Sequence, residues 1–326
     1  MDYFSNTSNI TDNVISRQRV DHMVASIMVP IMCILAVGVA VTNVATIVAF
    51  KRTDLREAPH YLAVNMAVSD IGLGMYPFYL APAILGDMPK PCCIFILFVM
   101  NFFGKISYTN LLLITVDRYL AVTRPMHYYQ MVTVARIKVL LVFTWLWGLA
   151  LSNAVLVGER WFPESGCSYE LVVGKGAIYF GTAHISADMV IMFAVYSRLA
   201  VIAYGHWKVE PTVAGGSALT KHLKLTKVFL VVVVSFVVCW SPFYILTLLE
   251  ITDNYADSVG IVRYTLYCLP LVNLLSNPLI YAWKIPAFSK VFKAIFMCKY
   301  VSAERQVTDG DHRSAISNTS NQLRAK

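Results

Sequence analysis

Long apolar stretches alternate with short polar segments along almost the whole chain. Seven of these stretches hold about 20 residues or more, the length that an α-helix needs to cross roughly 30 Å of hydrocarbon. The pattern predicts seven membrane-spanning helices, over residues 24–50, 59–85, 91–123, 135–157, 175–204, 223–250 and 259–283. The expected fold class is therefore an all-α membrane protein, a seven-transmembrane helix bundle covering residues 24–283.

Basic residues divide the connecting segments into two sides. Lysine and arginine gather after the first, third, fifth and seventh stretches, as at Lys51, Arg124, Lys208 and Lys290. The positive-inside rule places such segments in the cytoplasm. Residues 1–23 then form an extracellular N-terminus, the C-terminus is cytoplasmic, and the plasma membrane is the expected location. This orientation explains the net charge of +8 better than binding to nucleic acid does.

The composition leaves little room for a soluble domain. The chain is 57% hydrophobic and 14% charged, with a mean hydropathy of +0.60, against about 45–50% apolar and about 25% charged in soluble domains. The first residues lack the pattern of a cleavable signal peptide, so the first span is expected to act as the targeting signal. Asn6 and Asn9 begin two Asn-X-Ser/Thr motifs, which predicts glycosylation of an extracellular segment.

Two cysteines lie on the predicted outer side. Cys93 begins the third span and Cys167 precedes the fifth, so a disulfide bond between them is expected in an oxidising compartment. Cys92 is the rival partner for Cys167. The other histidine and cysteine positions are scattered without the spacing of metal ligands, and neither a metal centre nor a catalytic group is expected.

The segment after the seventh span alternates apolar and basic residues at helical spacing. Residues 284–297 are too short and too mixed to cross a bilayer, and they predict an amphipathic helix on the inner membrane surface. Cys298 follows this helix and is either palmitoylated or a free thiol. Residues 298–326 are rich in Ser, Asn and Arg, and they are expected to form a disordered cytoplasmic tail.

Short polar motifs interrupt the spans in a fixed order. They are Asn43, Asp70, the triplet Asp117-Arg118-Tyr119, Trp145, the run from Phe236 through Trp240 to Pro242, and Asn277-Pro278-Leu279-Ile280-Tyr281. Together these motifs resemble those of class A, rhodopsin-like G-protein-coupled receptors over residues 24–297. The resemblance implies an extracellular ligand, a heterotrimeric G protein, arrestin, a receptor kinase and membrane lipid as partners. It implies neither enzymatic activity nor nucleic-acid binding.

The resemblance also implies a switch at the cytoplasmic end. Arg118 would be paired with Asp117 at rest and released on activation, and Trp240 and Phe236 would pass on the binding event as a helix rotation. The coupling and switch residues are expected to be Asp117, Arg118, Tyr119, Tyr196, Asn277, Pro278 and Tyr281. The family often adds an acid at the start of span six, where this chain has His222. A weaker resting lock and some basal activity are expected from that difference.

Charged residues inside the predicted spans indicate two further groups of interacting side chains. By the resemblance, Asp70, Ser107, Asn273 and Asn277 surround an allosteric sodium ion; the alternative is a purely structural hydrogen-bond network. Span five carries Asp188 where the family has a proline, and span three carries Lys105. Because an unpaired charge at membrane depth is costly, Lys105 and Asp188 are expected to pair. The alternative is that one of them contacts the ligand.

Several residues narrow the range of possible ligand classes. Met100 stands where amine receptors carry an acid and Leu271 where visual pigments carry a lysine, which disfavours amines and retinal. The loop sequences are similar to those of the adenosine receptors, and the missing span-five proline is similar to the melanocortin receptors. A small molecule or short peptide is expected, without a named ligand. The predicted pocket contains Met100, Asn101, Gly104, Tyr169, Glu170, Phe180, His184, Trp240, Phe243, Tyr244, Thr247 and Tyr267.

Two alternative functions stay open on the sequence. One is an orphan receptor of the amine-like type, and the other, more remote, is a seven-span transporter. A transporter is expected to show broken helices or a continuous polar path through the membrane. In this chain the polar residues gather in the cytoplasmic half and at one level in the middle of the bundle.

Overall fold

The computed structural model describes residues 2–52, 58–84, 88–157, 167, 169–209, 218–252, 260–284 and 286–296. Within these ranges the chain forms twelve helical segments joined by turns, without a strand. The segments are α1 (Asp2–Arg52), α2 (Ala58–Gly74), α3 (Tyr76–Ile84), α4 (Lys90–Thr123), α5 (Tyr128–Met131), α6 (Val134–Ser152), α7 (Ala154–Val157), α8 (Tyr169–Val172), α9 (Lys175–Val209), α10 (Ala218–Ile251), α11 (Gly260–Lys284) and α12 (Pro286–Phe296).

These helices confirm the predicted bundle. The seven expected spans correspond to α1, α2 with α3, α4, α6 with α7, α9, α10 and α11. Five segments of the described chain are both long and apolar enough to cross a bilayer: Met23–Arg52, Lys90–Thr123, Val134–Leu156, Lys175–Gly205 and Leu223–Leu249. The seventh span, α11, has 25 residues, which is also long enough for a crossing.

Helix α1 is longer than the apolar pattern predicts. It begins at Asp2, whereas the predicted span begins at residue 24. Residues 2–29 contain neither proline nor glycine, so nothing in the backbone interrupts the helix before Pro30. The side chains of Asn6 and Asn9 lie outside the described part of the structure, as do Cys298 and the predicted tail. Their glycosylation, lipidation and disorder remain predictions.

The second span is divided at Met75 into α2 and α3. Pro77 lacks the N–H group that would continue the hydrogen bonding of α2, and Gly74 directly precedes the break. A turn takes the place of the helical pattern, with the Phe78 amide donating to the Met75 carbonyl at 3.2 Å. The second span therefore consists of two helical segments, α2 and α3, joined by this turn.

Helix α4 occupies the centre of the bundle. It contacts α2, α6, α9 and α10, while α1 packs against α2 and α11. Large apolar side chains such as Ile34, Phe143, Phe193 and Trp283 point outward, as expected of surfaces that face lipid tails. The predicted surface helix forms as α12, and its apolar residues Phe288, Val291 and Phe292 are buried against the bundle while Lys290 and Lys293 are exposed.

Two glycines in α2 allow the close packing of the first spans. A Cβ atom at Gly74 would lie 2.7 Å from Val39 Cγ1 and 3.3 Å from Val39 Cβ. A Cβ atom at Gly72 would lie 2.6 Å from ring carbons of Phe103. The backbone of α2 thus approaches α1 and α4 more closely than any larger residue permits.

We expect the substitution Gly74→Ala to destabilise the bundle by about 1–3 kcal/mol, because the new methyl group overlaps the stiff β-branched Val39 side chain. Thermal unfolding of the purified protein measures the effect. Gly205→Ala is the matched control, since nothing lies within 4 Å of a Cβ atom there. Equal melting temperatures for the two variants would contradict the packing described here.

Candidate functional site

The inner end of α4 buries an ion pair. Arg118 is 1% exposed, and its Nε atom donates to Asp117 Oδ2 at 2.8 Å, with a second hydrogen bond from an Nη atom to the same oxygen. The side chains belong to adjacent residues, so the pair forms within one helix turn. The predicted contact between Asp117 and Arg118 is therefore present, in the arrangement expected of a resting state.

Tyr128 completes this ion pair from the segment that follows α4. Its hydroxyl donates to Asp117 Oδ1 at 2.7 Å and accepts from an Nη atom of Arg118 at 3.2 Å. Tyr128 lies in the four-residue helix α5 and was not among the predicted switch residues. The only sequence signal for its role is that Tyr128 is an aromatic residue in the short segment His127 to Tyr129, which follows soon after the Asp117-Arg118-Tyr119 triplet. Its burial shows only in three dimensions.

Aromatic rings and tyrosines from other helices enclose the guanidinium. The Phe229 ring of α10 lies 5.9 Å from Arg118 Cζ and 5.9 Å from the Tyr281 ring of α11. The hydroxyl groups of Tyr196 and Tyr281 are buried and have no hydrogen-bond partner among the described residues. Both phenols are thus buried in the closed bundle, and Tyr281 packs on the ring that lies beside the guanidinium.

One predicted switch residue, Tyr119, is not brought into the site. Tyr119 is only half-buried and packs on the apolar core beside the lock. The side chain of His222 lies outside the described part of the chain, so the structure does not test the expectation of a weak lock at that position.

A second polar cluster lies in the middle of the bundle. Asp70 is fully buried, and its carboxylate accepts from Ser107 Oγ at 2.7 Å and from Asn277 Nδ2 at 3.1 Å. Asn277 Oδ1 is buried and has no hydrogen-bond donor among the described residues. Three of the four predicted cage residues therefore meet around one point that is rich in oxygen atoms.

The fourth predicted cage residue, Asn273, faces a different partner. Its Oδ1 atom accepts from Trp240 Nε1 at 3.1 Å, and its Nδ2 atom donates to Ser235 Oγ at 3.3 Å. The prediction that Asn273 binds beside Asp70 is thus not met in this conformation. The indole N–H of Trp240 needs an acceptor when it is buried, and Asn273 supplies it.

Other motif residues tie neighbouring spans together. Trp145 Nε1 donates to Asn65 Oδ1 at 2.9 Å, and Asn65 Nδ2 donates to Asn110 Oδ1 at 2.9 Å, which links α6, α2 and α4. Asn43 Nδ2 donates to the Leu274 carbonyl at 3.2 Å and links α1 to α11. These contacts hold the frame within which the switch residues sit.

Trp240 lies at the centre of an aromatic cluster above the polar cage. The rings of Tyr108, Phe236, Phe243 and Tyr244 have their centroids 5.1 to 6.0 Å from the Trp240 ring. The hydroxyl groups of Tyr108 and Tyr244 share a hydrogen bond of 2.8 Å. Tyr108 was not among the predicted residues, although a tyrosine one turn after Gly104 is a polar group at pocket depth.

Only some of the predicted pocket residues lie against the outer face of this aromatic cluster. Phe243 contacts Tyr267 at 5.7 Å between centroids, and the Thr247 hydroxyl donates to the Phe243 carbonyl of its own helix at 3.0 Å. Asn101 Nδ2 likewise donates to its own helix, at the Leu97 carbonyl. Phe180 is 54% exposed and does not join the buried aromatic cluster. Met100 is half-buried on α4, and the Glu170 side chain lies outside the described residues.

A disulfide bond fixes the outer rim. Cys93 and Cys167 are bonded, with their Cα atoms 5.7 Å apart, which confirms the predicted pair. Cys92 is exposed and free. The bond attaches the segment before α9 to the start of α4, and Tyr169 packs on the small apolar cluster around Cys93.

The expected direct pair between Lys105 and Asp188 is absent. Both residues are buried, but within the described part of the chain no carboxylate lies within 4.0 Å of the Lys105 ammonium. The Asp188 carboxylate instead lies 3.4 Å from His184 Nδ1, one turn earlier on α9. The two charges interact only at longer range. The predicted partners therefore do not touch, although their charges interact, and the Asp188 carboxylate lies beside an imidazole of its own helix.

Metal ligation by other residues is not suggested by the geometry. Across the described ranges, no group of three or more His, Cys, Asp or Glu side chains converges on one point. The polar atoms near Asp70 are instead carboxylate, hydroxyl and amide oxygens, which suit a hard cation such as sodium.

Comparison with known proteins places the chain among receptors. Residues 42–281 match the model of the 7 transmembrane receptor (rhodopsin family). The chain is 25% identical to adenosine receptor A2b of Gallus gallus over 297 residues, which covers 82% of the chain and 87% of that receptor. It is 25% identical to adenosine receptor A2a of Homo sapiens, with coverage of 84% and 73%, and 28% identical to G-protein coupled receptor 3 of Mus musculus, with coverage of 82% and 82%.

The hydrogen bond between Tyr108 and Tyr244 predicts a non-additive pair of substitutions. Tyr108→Phe alone leaves the buried Tyr244 hydroxyl without this partner, at a cost of about 1–3 kcal/mol. The double variant with Tyr244→Phe removes both polar groups and should be less destabilised than the sum of the single variants. Thermal unfolding of the four proteins measures the coupling, and strictly additive losses would contradict the contact.

Proposed function

Because the chain belongs to the rhodopsin family of seven-transmembrane receptors, we propose that it binds an extracellular small molecule or short peptide and activates a heterotrimeric G protein. Family membership makes it a multi-pass membrane protein and a receptor, not an enzyme. We further propose that it acts at the plasma membrane with its N-terminus outside, in agreement with the distribution of basic residues.

The observation that carries this proposal is the closed ion pair at the inner end. Arg118 is held by Asp117 and Tyr128, and the Phe229 ring, which packs on Tyr281, lies beside it. A buried guanidinium is stable only while its partners stay in place. Outward movement of α10 would remove Phe229 and expose Arg118 to a cytoplasmic partner. Tyr196 and Tyr281, whose hydroxyls are buried close by, would then stabilise the open bundle.

A ligand can drive this change only by binding the open state more tightly than the closed one. The aromatic cluster around Trp240 lies between the outer pocket and the ion pair, and Pro242 weakens the backbone of α10 just above it. Contact of a ligand with Phe243 or Tyr244 would therefore be transmitted to Trp240 and to its hydrogen bond with Asn273.

The ligand itself is unassigned within the adenosine-related branch. The relatives named above include two adenosine receptors, and the segment around Tyr169 is similar to theirs. However, Thr247 and Leu271 stand where adenosine receptors carry an asparagine and a histidine that bind adenosine. Thr247 bonds its own helix, and Leu271 is buried in the core. Adenosine is therefore disfavoured, and a different small molecule or short peptide is favoured.

The cluster around Asp70 supports an allosteric sodium ion. Two Asp70 oxygens, Ser107 Oγ and the unpartnered Asn277 Oδ1 form an oxygen-rich set of the kind that binds a hard cation. The ion would neutralise a carboxylate that is fully buried in the bundle. Asn273 would join the set only after leaving Trp240, which would couple the ion to the aromatic cluster.

Arrestin, a receptor kinase and membrane lipid are proposed as further partners. The proposal of a lipid contact is supported by α12, whose exposed Lys290 and Lys293 lie on the side opposite its buried apolar face. Lysines at that place suit anionic headgroups of the inner leaflet. The buried face holds α12 against α1 and α11, next to the surface that a cytoplasmic partner would approach.

We expect Tyr128→Phe to raise ligand-independent nucleotide exchange, because it removes a hydrogen bond to each member of the buried ion pair. Adding Arg118→Met to Tyr128→Phe should return exchange to the receptor-free rate. Guanine-nucleotide exchange on a panel of purified G proteins, with receptor in lipid discs, measures both effects.

The matched control is Lys138→Met, an exposed cation at the inner end of α6. It should leave exchange in the Tyr128→Phe background within about twofold, as expected for a rim charge. Exchange that persists after neutralisation of Arg118, or an equal loss in the control, would contradict the proposed role of the ion pair.

Sodium is expected to stabilise the purified receptor. At roughly ten times its dissociation constant, the ion would add about 1.4 kcal/mol to the free energy of unfolding. Melting temperatures in sodium chloride and in choline chloride of equal ionic strength should differ for the unaltered protein and coincide for Asp70→Asn. Asp188→Asn, which removes a carboxylate outside the cluster, should keep the difference. Identical curves in both salts for the unaltered protein would rule out the site.

A further inference from the structure

Lys105 is a buried cation in the middle of α4. The residue is 8% exposed, and within the described ranges its ammonium has neither an ion-pair partner within 4.0 Å nor a hydrogen-bond acceptor. A Cβ atom at Gly181 of α9 would lie 3.4 Å from Lys105 Nζ. The ammonium therefore occupies the space between α4 and α9 that a larger residue at 181 would restrict.

The nearest acid does not neutralise this ammonium by contact. Asp188 has its Oδ2 atom 3.4 Å from His184 Nδ1, and the His184 ring in turn lies 6.3 Å from the Trp147 ring of α6. Asp188 affects Lys105 only through a longer-range electrostatic interaction. The carboxylate is positioned by its own helix, because residues four apart on a helix lie on the same face. Among the described residues, no anion is therefore in direct contact with the Lys105 ammonium.

The position of Lys105 favours an anion that enters from outside. Gly104 and Asn101, both predicted pocket residues, precede it on α4, and Gly181 of α9 lies beside its ammonium. Because no second cation contacts this ammonium, an anion with one negative charge is expected to bind better than an anion with two. Burial of such a pair in a low dielectric strengthens the attraction, provided that the geometry is good.

We propose that Lys105 anchors the carboxylate group of an organic acid ligand between α4 and α9. The proposal rests on the receptor function above, since it assigns the ligand class for that pocket. One oxygen of the ligand acid would accept from Lys105 Nζ, beside Gly181, while the rest of the ligand extends toward the aromatic cluster at Tyr244. Asp188, a like charge, would stay turned toward His184.

The test measures binding to the purified full-length receptor in lipid discs, without a G protein. The probes are hexanoate, benzoate and phenylacetate, each compared with its neutral primary amide at equal concentration by thermal shift. We expect the receptor to bind at least one acid more tightly than its amide. Lys105→Met should weaken that acid by roughly tenfold or more, because one member of a buried charge pair is lost, and Lys105→Arg should retain the preference.

Two controls separate this pairing from other effects. Lys175→Met removes an exposed lysine at the outer end of α9 and should leave the preference for the acid unchanged. Asp188→Asn removes the like charge and should leave acid binding equal or tighter. Melting temperatures without probe show whether each variant is folded, and Lys105→Arg supplies a folded variant with the cation retained should Lys105→Met unfold.

Three results would overturn the proposal: no preference for any acid over its amide, a preference that survives Lys105→Met, or an equal loss in Lys175→Met. Weakening by Asp188→Asn to the same extent as by Lys105→Met would also overturn it, because the two residues would then act as an internal pair. None of these results depends on nucleotide exchange. A failure of the acid site and a failure of G-protein activation are therefore told apart.

Discussion

The closed bundle must accommodate one buried, hydrogen-bonded ion pair, formed by Asp117 and Arg118. A guanidinium that is 1% exposed has lost its water, and this loss is tolerable only with an anion and further donors or acceptors in contact. Three elements contribute to that environment directly: α4 carries the pair, α5 brings Tyr128 and α10 brings Phe229, whose ring packs in turn on Tyr281 of α11. Separation of any of these helices from the others changes the surroundings of the same charge.

Polar contacts extend from the outer pocket to the middle of the bundle, with one break in the series. Tyr244 bonds Tyr108, both rings pack on Trp240, and Trp240 bonds Asn273. Asn277, one turn further along α11, bonds Asp70. The break between Asn273 and Asp70 is informative, because two discrete arrangements of Asn273 would give the bundle the bistable element that a receptor needs.

The sequence predicted what depends on hydrophobic length and on motif spacing: seven spans, the surface helix, the disulfide bond and the Asp117–Arg118 contact. It failed where the outcome depends on which neighbour a side chain reaches first. Depth along a helix suggested that Lys105 and Asp188 meet, but His184 lies nearer to Asp188 on its own helix. Asn273 turned to the buried indole instead of the carboxylate, and Tyr128 entered from a segment whose apolar pattern shows no burial.

The break at Met75 has a consequence for the outer half of the bundle. Tyr76, the first residue after the break, donates its hydroxyl to the backbone carbonyl of Tyr267, three residues before Pro270 in α11. The hydrogen bond thus joins the start of α3, just after the break in the second span, to the continuous helix α11 close to Pro270. The outer parts of α3 and α11 are thus joined by a hydrogen bond, so displacement of either one would strain its contact with the other.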